Sequence, residues 1–200
     1  MRYLALGDSY TIGEGVEASE RWPAQLAAML RERGAGAGEP EVLAQTGWTT
    51  DELDAAIDAA APRGPFELVS LLIGVNNQYR GRPVEEYREE FRTLLQRTIT
   101  FAGGDARRVF VMSIPDWGVT PFAEGRDRKR IAAEIDAFNL VARDEAKAAG
   151  VAYIEVTAFT REIGGDESYL VADRLHYSGK AYRVFAEAAL PTALAALRTE

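Results

Sequence analysis

The sequence contains no cysteine. Disulfides, thiolate nucleophiles and thiolate metal sites are therefore excluded. It contains a single histidine, His176, so a histidine-rich metal centre is excluded and any imidazole chemistry must run through that one ring. No spaced acidic loop suggests Mg or Ca, and no cofactor is called for. Positive charge is in deficit, with 23 Lys and Arg against 31 Asp and Glu and a net charge of -8. A surface of that sign repels nucleic acid and anionic headgroups, so neither is expected as a partner. No apolar run approaches the roughly 20 residues that cross a bilayer as a helix. The first residues enter a strand-like stretch, Tyr3-Leu4-Ala5-Leu6, with no longer apolar region and cleavage site ahead of it. A signal peptide would need both, so a cytoplasmic location is the default expectation.

What remains is ordinary soluble composition. The chain has 200 residues, 47% hydrophobic and 27% charged, enough for a sizeable core and consistent with one domain over residues 1–200. Short apolar runs alternate with amphipathic stretches. Strands are predicted at Tyr3 to Leu6, Glu41 to Gln45, Leu68 to Ile73, Arg108 to Ser113 and Val151 to Val156. Helices are predicted at Trp22 to Arg33, Thr50 to Ala61, Val84 to Phe101, Asp127 to Ala149 and Ser178 to Leu197. The runs at 68, 108 and 151 are nearly continuous in apolar residues, as parallel strands covered on both faces must be. Gly34 to Gly38, Pro83, Gly103-Gly104 and Gly150 punctuate the pattern, and Ser178 is placed to cap the last helix. Strand–helix alternation predicts an α/β fold: a single three-layer α/β/α, flavodoxin-like domain with a parallel sheet of about five strands.

In such a sheet ligands bind beyond the carboxyl ends of the strands. The segments there carry Ser9, Gly47, Asn76 and Asn77, Trp117, and the stretch from Thr157 to His176. Ser9 follows the first strand, and Asp173 stands three residues before His176. A serine hydroxyl is hardly ionised at neutral pH and attacks a carbonyl only if a base takes its proton. Histidine suits that task, and an aspartate beside it fixes the tautomer and stabilises the imidazolium.

Gly7-Asp8-Ser9, Gly47, Gly74-Val75-Asn76 and Asp173-Arg174-Leu175-His176 occur in the order and spacing of the SGNH, or GDSL-like, hydrolases. Each block alone is a weak signal; the ordered set is specific, and the chain resembles that family over most of its length. The resemblance implies that Ser9 is the nucleophile and that Asp173 and His176 complete a triad. It implies that Gly47 and Asn76, with the backbone N–H of Ser9, donate to the oxyanion. It further implies ester hydrolysis through an acyl-serine intermediate, without metal or cofactor. The partner is then a small-molecule ester: a short-acyl ester, a lysophospholipid, an acyl thioester or an acetylated sugar. Oligomeric state is left open. One position departs from the pattern, which often reads Gly-x-Asn-Asp: residue 77 is Asn.

Other residues divide between readings. Asn77, Tyr79, Trp117 and Phe122 are candidate substrate contacts. Trp117, Val119 and Phe122 either wall an acyl group or pack the loop from Pro115 to Pro121. Arg80 and Arg82 read as solvated loop residues, Trp22 as a core anchor, and Glu85, Glu86, Glu89 and Glu90 as an exposed first helical turn. An acyltransferase would use the same triad. An α/β-hydrolase is disfavoured because Gly7-Asp8-Ser9-Tyr10-Thr11 lacks the second glycine of its nucleophile motif. A flavodoxin-like binding module would leave Asn76, Asp173 and His176 without a role.

Overall fold

Five apolar segments pair side by side as strands β1 (Tyr3–Gly7), β2 (Glu41–Ala44), β3 (Leu68–Leu72), β4 (Val109–Met112) and β5 (Ala152–Ile154) in the computed structural model, which describes residues 1–198. The order is β2-β1-β3-β4-β5 and every pairing is parallel. Leu6 lies between Leu43 and Leu71 in register, and Val111 between Leu71 and Tyr153. β1, β3 and β4 are buried throughout, while β2 and β5 at the edges are partly exposed. The runs at 68 and 108 are thus covered on both faces as expected, whereas the run at 151 is the edge strand β5, where Ala152 and Tyr153 are only half-buried. Ser70 is the polar exception in β3, and its hydroxyl is satisfied by Tyr3 Oη at 2.8 Å.

Eight helices follow in chain order: α1 (Ser9–Ile12), α2 (Trp22–Glu32), α3 (Thr50–Ala60), α4 (Val75–Tyr79), α5 (Val84–Phe101), α6 (Arg128–Ala148), α7 (Thr157–Ile163) and α8 (Gly179–Ala196). The long ones sort into two packed groups, α2 with α8 and α3 with α5 and α6, giving the three layers expected. α5 shows the logic: Tyr87, Phe91, Leu94, Leu95 and Thr98 fall on one stripe at helical spacing and are buried. Between α5 and α6 the carboxylate of Glu145 is held by Arg88 at 2.7 Å and Arg92 at 2.8 Å. α8 runs through Pro191. The carbonyl that loses its partner there belongs to Glu187, an exposed residue. None of the described helices is long and apolar enough to cross a membrane.

The five predicted strands and five predicted helices are all present, with ends moved by one or two residues. The three short helices α1, α4 and α7 were not expected as helices. Each starts two or three residues after the last residue of a strand, where the chain turns back over the sheet. The order 2-1-3 means the chain leaves β1 toward one side and returns on the other. The crevice this opens lies at the carboxyl ends of β1, β2 and β3.

Candidate active site

Ser9 is the first residue of α1, just beyond β1, an inner strand flanked by β2 and β3. Asp8 caps that turn, its Oδ1 accepting the Tyr10 N–H at 3.1 Å. Gly13, at φ 67°, ends it. The Ser9 N–H precedes the helical ladder and finds no acceptor among the described residues. Asp8 is fully buried, and its Oδ2 has no protein partner. Burial pushes its carboxyl up to about 7, against the Tyr10 and Asp8 backbone N–H groups, which favour the charged form.

The loop after β2 carries Gly47 at φ 89°, a left-handed conformation that favours glycine. Its N–H, like that of Ser9, has no acceptor among the described residues. The loop is held from outside by side chains. The Thr46 hydroxyl donates to Glu14. The Arg80 guanidinium donates to the Gly47 carbonyl at 2.6 Å and to Glu52 Oε1 at 3.1 Å. Asn76, in α4, donates one Nδ2 hydrogen to the Trp48 carbonyl at 2.9 Å. That bond fixes the carboxamide and leaves its second hydrogen for another acceptor.

On the opposite side the segment Asp173 to His176 folds on itself. Asp173 Oδ1 accepts the backbone N–H groups of Leu175 and His176, both at 2.9 Å. Its Oδ2 meets His176 Nδ1 at 2.6 Å. Burial alone would raise the Asp173 carboxyl. The hydrogen bonds from the His176 ring and from these two backbone N–H groups outweigh it and hold the group below the ordinary carboxylate range. Arg174, inside the turn, adopts φ 61°. The imidazole is nearly buried and sits edge-on to the Tyr10 ring, centroids 5.9 Å apart. With Nδ1 turned to the carboxylate, Nε2 is the nitrogen left to act.

These pieces converge on one cavity of about 210 Å³. Ser9, Gly47, Asn76 and His176 form its polar side, and Val75, Tyr79, Trp117, Phe122 and Leu175 its apolar side. Trp117 is buried, its Nε1 donates to Gln78 Oε1 at 2.8 Å, and it lines the cavity. Gln78 in turn donates to Glu134 at 2.8 Å, so the indole wall is tied to α6. Tyr79 and Phe122 complete the wall and are 48% and 39% exposed, which places them at its rim. The Phe122 N–H donates to the Arg174 carbonyl at 3.3 Å, joining the wall to the Asp173–His176 turn.

Three expectations need correction. Asn77 does not reach the cavity. It is fully buried, its Oδ1 accepts the Thr50 N–H at 3.1 Å, and its Nδ2 donates to Thr50 Oγ1 at 2.6 Å. One step of about 100° along the turn from Asn76, the Asn77 side chain points to α3 instead of the cavity. Glu90 Oε2 lies 3.4 Å from Asn77 Nδ2 and also accepts from Thr50 Oγ1. Glu90 is thus partly buried rather than a solvated member of its turn. Arg82 is likewise not a solvated loop residue, being partly buried and paired with Asp51 at 2.6 Å; Arg80 is solvated as expected and grips the Gly47 loop. Trp22 is buried against Phe110, as a core anchor should be. Ser178 occupies the cap position of α8, but its hydroxyl donates to the Ser168 carbonyl instead.

The model of the GDSL-like lipase/acylhydrolase family matches residues 5–184. The chain belongs to that family. The GDSL-like member described here is accordingly a carboxylic ester hydrolase, and the four blocks of its sequence fall around one cavity of its fold. Solved structures agree in architecture. TesA superposes with a TM-score of 0.73 at 22% identity, covering 96% of this chain and 97% of that one. Axe2, an acetylxylan esterase from Geobacillus stearothermophilus, gives 0.71 at 19% identity over 96% and 93%. The esterase EstA from Pseudoalteromonas sp. gives 0.67 at 17% over 96% and 95%. Identities this low establish a shared fold. No curated protein matches the chain by sequence.

Proposed function

We propose that this GDSL-family esterase works through an acyl-serine intermediate and prefers short acyl groups. The observation that carries the mechanism is the pairing of His176 Nδ1 with Asp173 at 2.6 Å, on a ring that lines the same cavity as Ser9. His176 Nε2 takes the Ser9 proton as Oγ attacks the ester carbonyl. The negative charge that develops on the carbonyl oxygen is met by the N–H groups of Ser9 and Gly47 and by the free hydrogen of Asn76. Such fixed donors favour the transition state over the ground state. Collapse expels the alcohol, which leaves with the proton held on His176. Water, deprotonated by the same imidazole, then attacks the acyl-serine and releases the acid.

The size and chemistry of the cavity support the substrate preference. Its volume of about 210 Å³ lies below the roughly 300–1,000 Å³ typical of sites for drug-sized ligands. Trp117 closes it, braced from behind by Gln78 and Glu134. An acetyl or similarly small acyl group fits against that wall, and the alcohol portion leaves past the exposed rim at Tyr79 and Phe122. Axe2 acts on acetylated xylan by its own description, which agrees with a small acyl group and a bulky alcohol. A series of p-nitrophenyl esters from acetyl to decanoyl tests this: kcat/KM should be highest at the short end. A steady rise toward decanoyl would discard the short-acyl reading. Labelling of Ser9 by a fluorophosphonate, absent in Ser9→Ala, tests the nucleophile separately.

A further inference from the structure

We infer that Arg80 is a positioning residue for the oxyanion donors, acting through the Gly47 loop. The inference rests on the donor roles proposed for Gly47 and Asn76. Gly47 stands at φ 89° in a stretch where Gln45 and Thr46 are exposed and Gly47 and Trp48 only partly buried. A glycine in that setting has wide backbone freedom and no side chain of its own to pack. Apart from its chain neighbours, the only heavy atom among the described residues within 4 Å of where its Cβ would stand is Arg80 Nη2, at 3.9 Å. An N–H aimed at a developing charge must nevertheless be fixed before the reaction, since reorienting it during the reaction forfeits its value. Something outside the loop has to hold it.

The hydrogen bonds identify what does. Segment 76–82 reaches across to segment 47–52 through four side chains in succession. Asn76 meets the Trp48 carbonyl, Asn77 meets Thr50, Arg80 meets Gly47 and Glu52, and Arg82 meets Asp51. Of these only Arg80 grips the glycine itself. Its bond to the Gly47 carbonyl is short and charge-assisted, at 2.6 Å. Glu52 fixes the other end of the guanidinium fork at 3.1 Å and is itself anchored by the Thr49 N–H at 2.9 Å in the first turn of α3. The two donors contributed by side-chain and loop are therefore braced against each other: α4 carries Asn76 and, one turn later, the arginine that holds Gly47. The Arg80 and Glu52 side chains are 42% and 39% exposed. An ion pair that open to water adds little to stability, so the arrangement is better explained by what it holds in place.

Steady-state kinetics of the full chain test this. Arg80→Ala should lower kcat on p-nitrophenyl acetate by about 10- to 100-fold, the scale of a misplaced rather than a deleted donor. KM should stay within about twofold, because the ground-state ester gains little from the hole. Added guanidinium ion at tens of millimolar should restore part of kcat where the same concentration of NaCl does not, and Arg80→Lys should retain part of it. Arg80→Met keeps the aliphatic stem and serves in place of the alanine variant should that one fail to fold. A folded variant with wild-type kcat, a loss carried by KM alone, or a loss that neither guanidinium nor lysine recovers would each overturn the assignment. Ser9→Ala and Asn76→Ala separate this from its premise. If they leave turnover intact, the catalytic reading itself fails; if they abolish it while Arg80→Met is unimpaired, only the role of Arg80 does.

Discussion

The two sides of the cavity are built by different means. Ser9 stands at the end of the inner strand β1, on a turn whose Asp8, Tyr10 and Thr11 are all nearly or fully buried. Asn76 and Gly47 are set by polar links between the ends of β2 and β3. Asp173 and His176 come from a surface turn that closes almost entirely on itself, with the Asp173 side chain 43% exposed. Ser9, Gly47 and Asn76 are thus placed by the fold as a whole, Asp173 and His176 largely by a few local hydrogen bonds. It follows that damage on the first side should mix catalytic and structural effects, while damage on the second should be nearly pure catalysis.

The sharpest test pairs a deletion on each side. Ser9→Ala and Asp173→Ala should each cut kcat/KM on the order of 10³-fold or more, because the triad acts as a unit. Asp173→Ala should cost no more than about 1 kcal/mol of stability, or about 2–4 °C in Tm. If thermal melts show Asp173→Ala to be broadly unfolded, the turn is not as self-contained as its hydrogen bonds imply. Next in size is Asn76→Ala. Loss of one oxyanion donor typically costs about 10²–10³ in kcat, and KM should change far less.

The buried side should also carry a pH signature of its own. Asp8 is raised from 3.8 to about 7 by burial. Between those values the folded state holds a proton that the unfolded state has released, so stability falls as pH rises through the interval. The loss is complete once pH exceeds the folded value, and amounts to at most about 4 kcal/mol by the shift from 3.8 to about 7. Denaturant melts of Asp8→Asn should be flatter from pH 4 to 8 than those of the wild type. A wild-type profile that rises over this interval by as much as the variant's would mean Asp8 is ionised without penalty. The smallest effect concerns the residue that departs from Gly-x-Asn-Asp. Asn77→Asp sets a second carboxylate beside Glu90, where Asn77 Nδ2 now lies 3.4 Å from Oε2. It should destabilise by roughly 1–3 kcal/mol at pH 8 and recover at pH 5 or when combined with Glu90→Gln. Equal stability at both pH values would show that the two groups do not share a site.

Much of this was legible in the sequence, for definite reasons. β1, β3 and β4 are buried on both faces, so their apolar runs stand out, and α5 shows its stripe over 18 residues. Four-residue α1 and five-residue α4 are too short for a helical period to register. They exist because strand ends and caps dictate them. The ordered blocks pointed to Ser9, Gly47, Asn76, Asp173 and His176, all of which except Asp173 line the cavity directly. Asn77 was misread because side-chain direction depends on the unrecognised turn of α4. Arg80 is solvated as expected, but its bonds to Gly47 and Glu52 were not legible, because those partners become neighbours only when β2 and β3 flank β1.

The sheet order has a consequence for how the chain comes into being. β1 precedes both of its neighbours, β2 and β3, in the chain, and both must be in place before its edges are covered. Until then the polypeptide presents an unpaired apolar strand, the kind of surface that chaperones bind and that aggregates recruit. His176 and α8, which packs on α2, come after all five strands. On the proposed mechanism a chain cut between β5 and His176 would hold Ser9 without the imidazole that activates it, so activity reports on both ends of the fold at once.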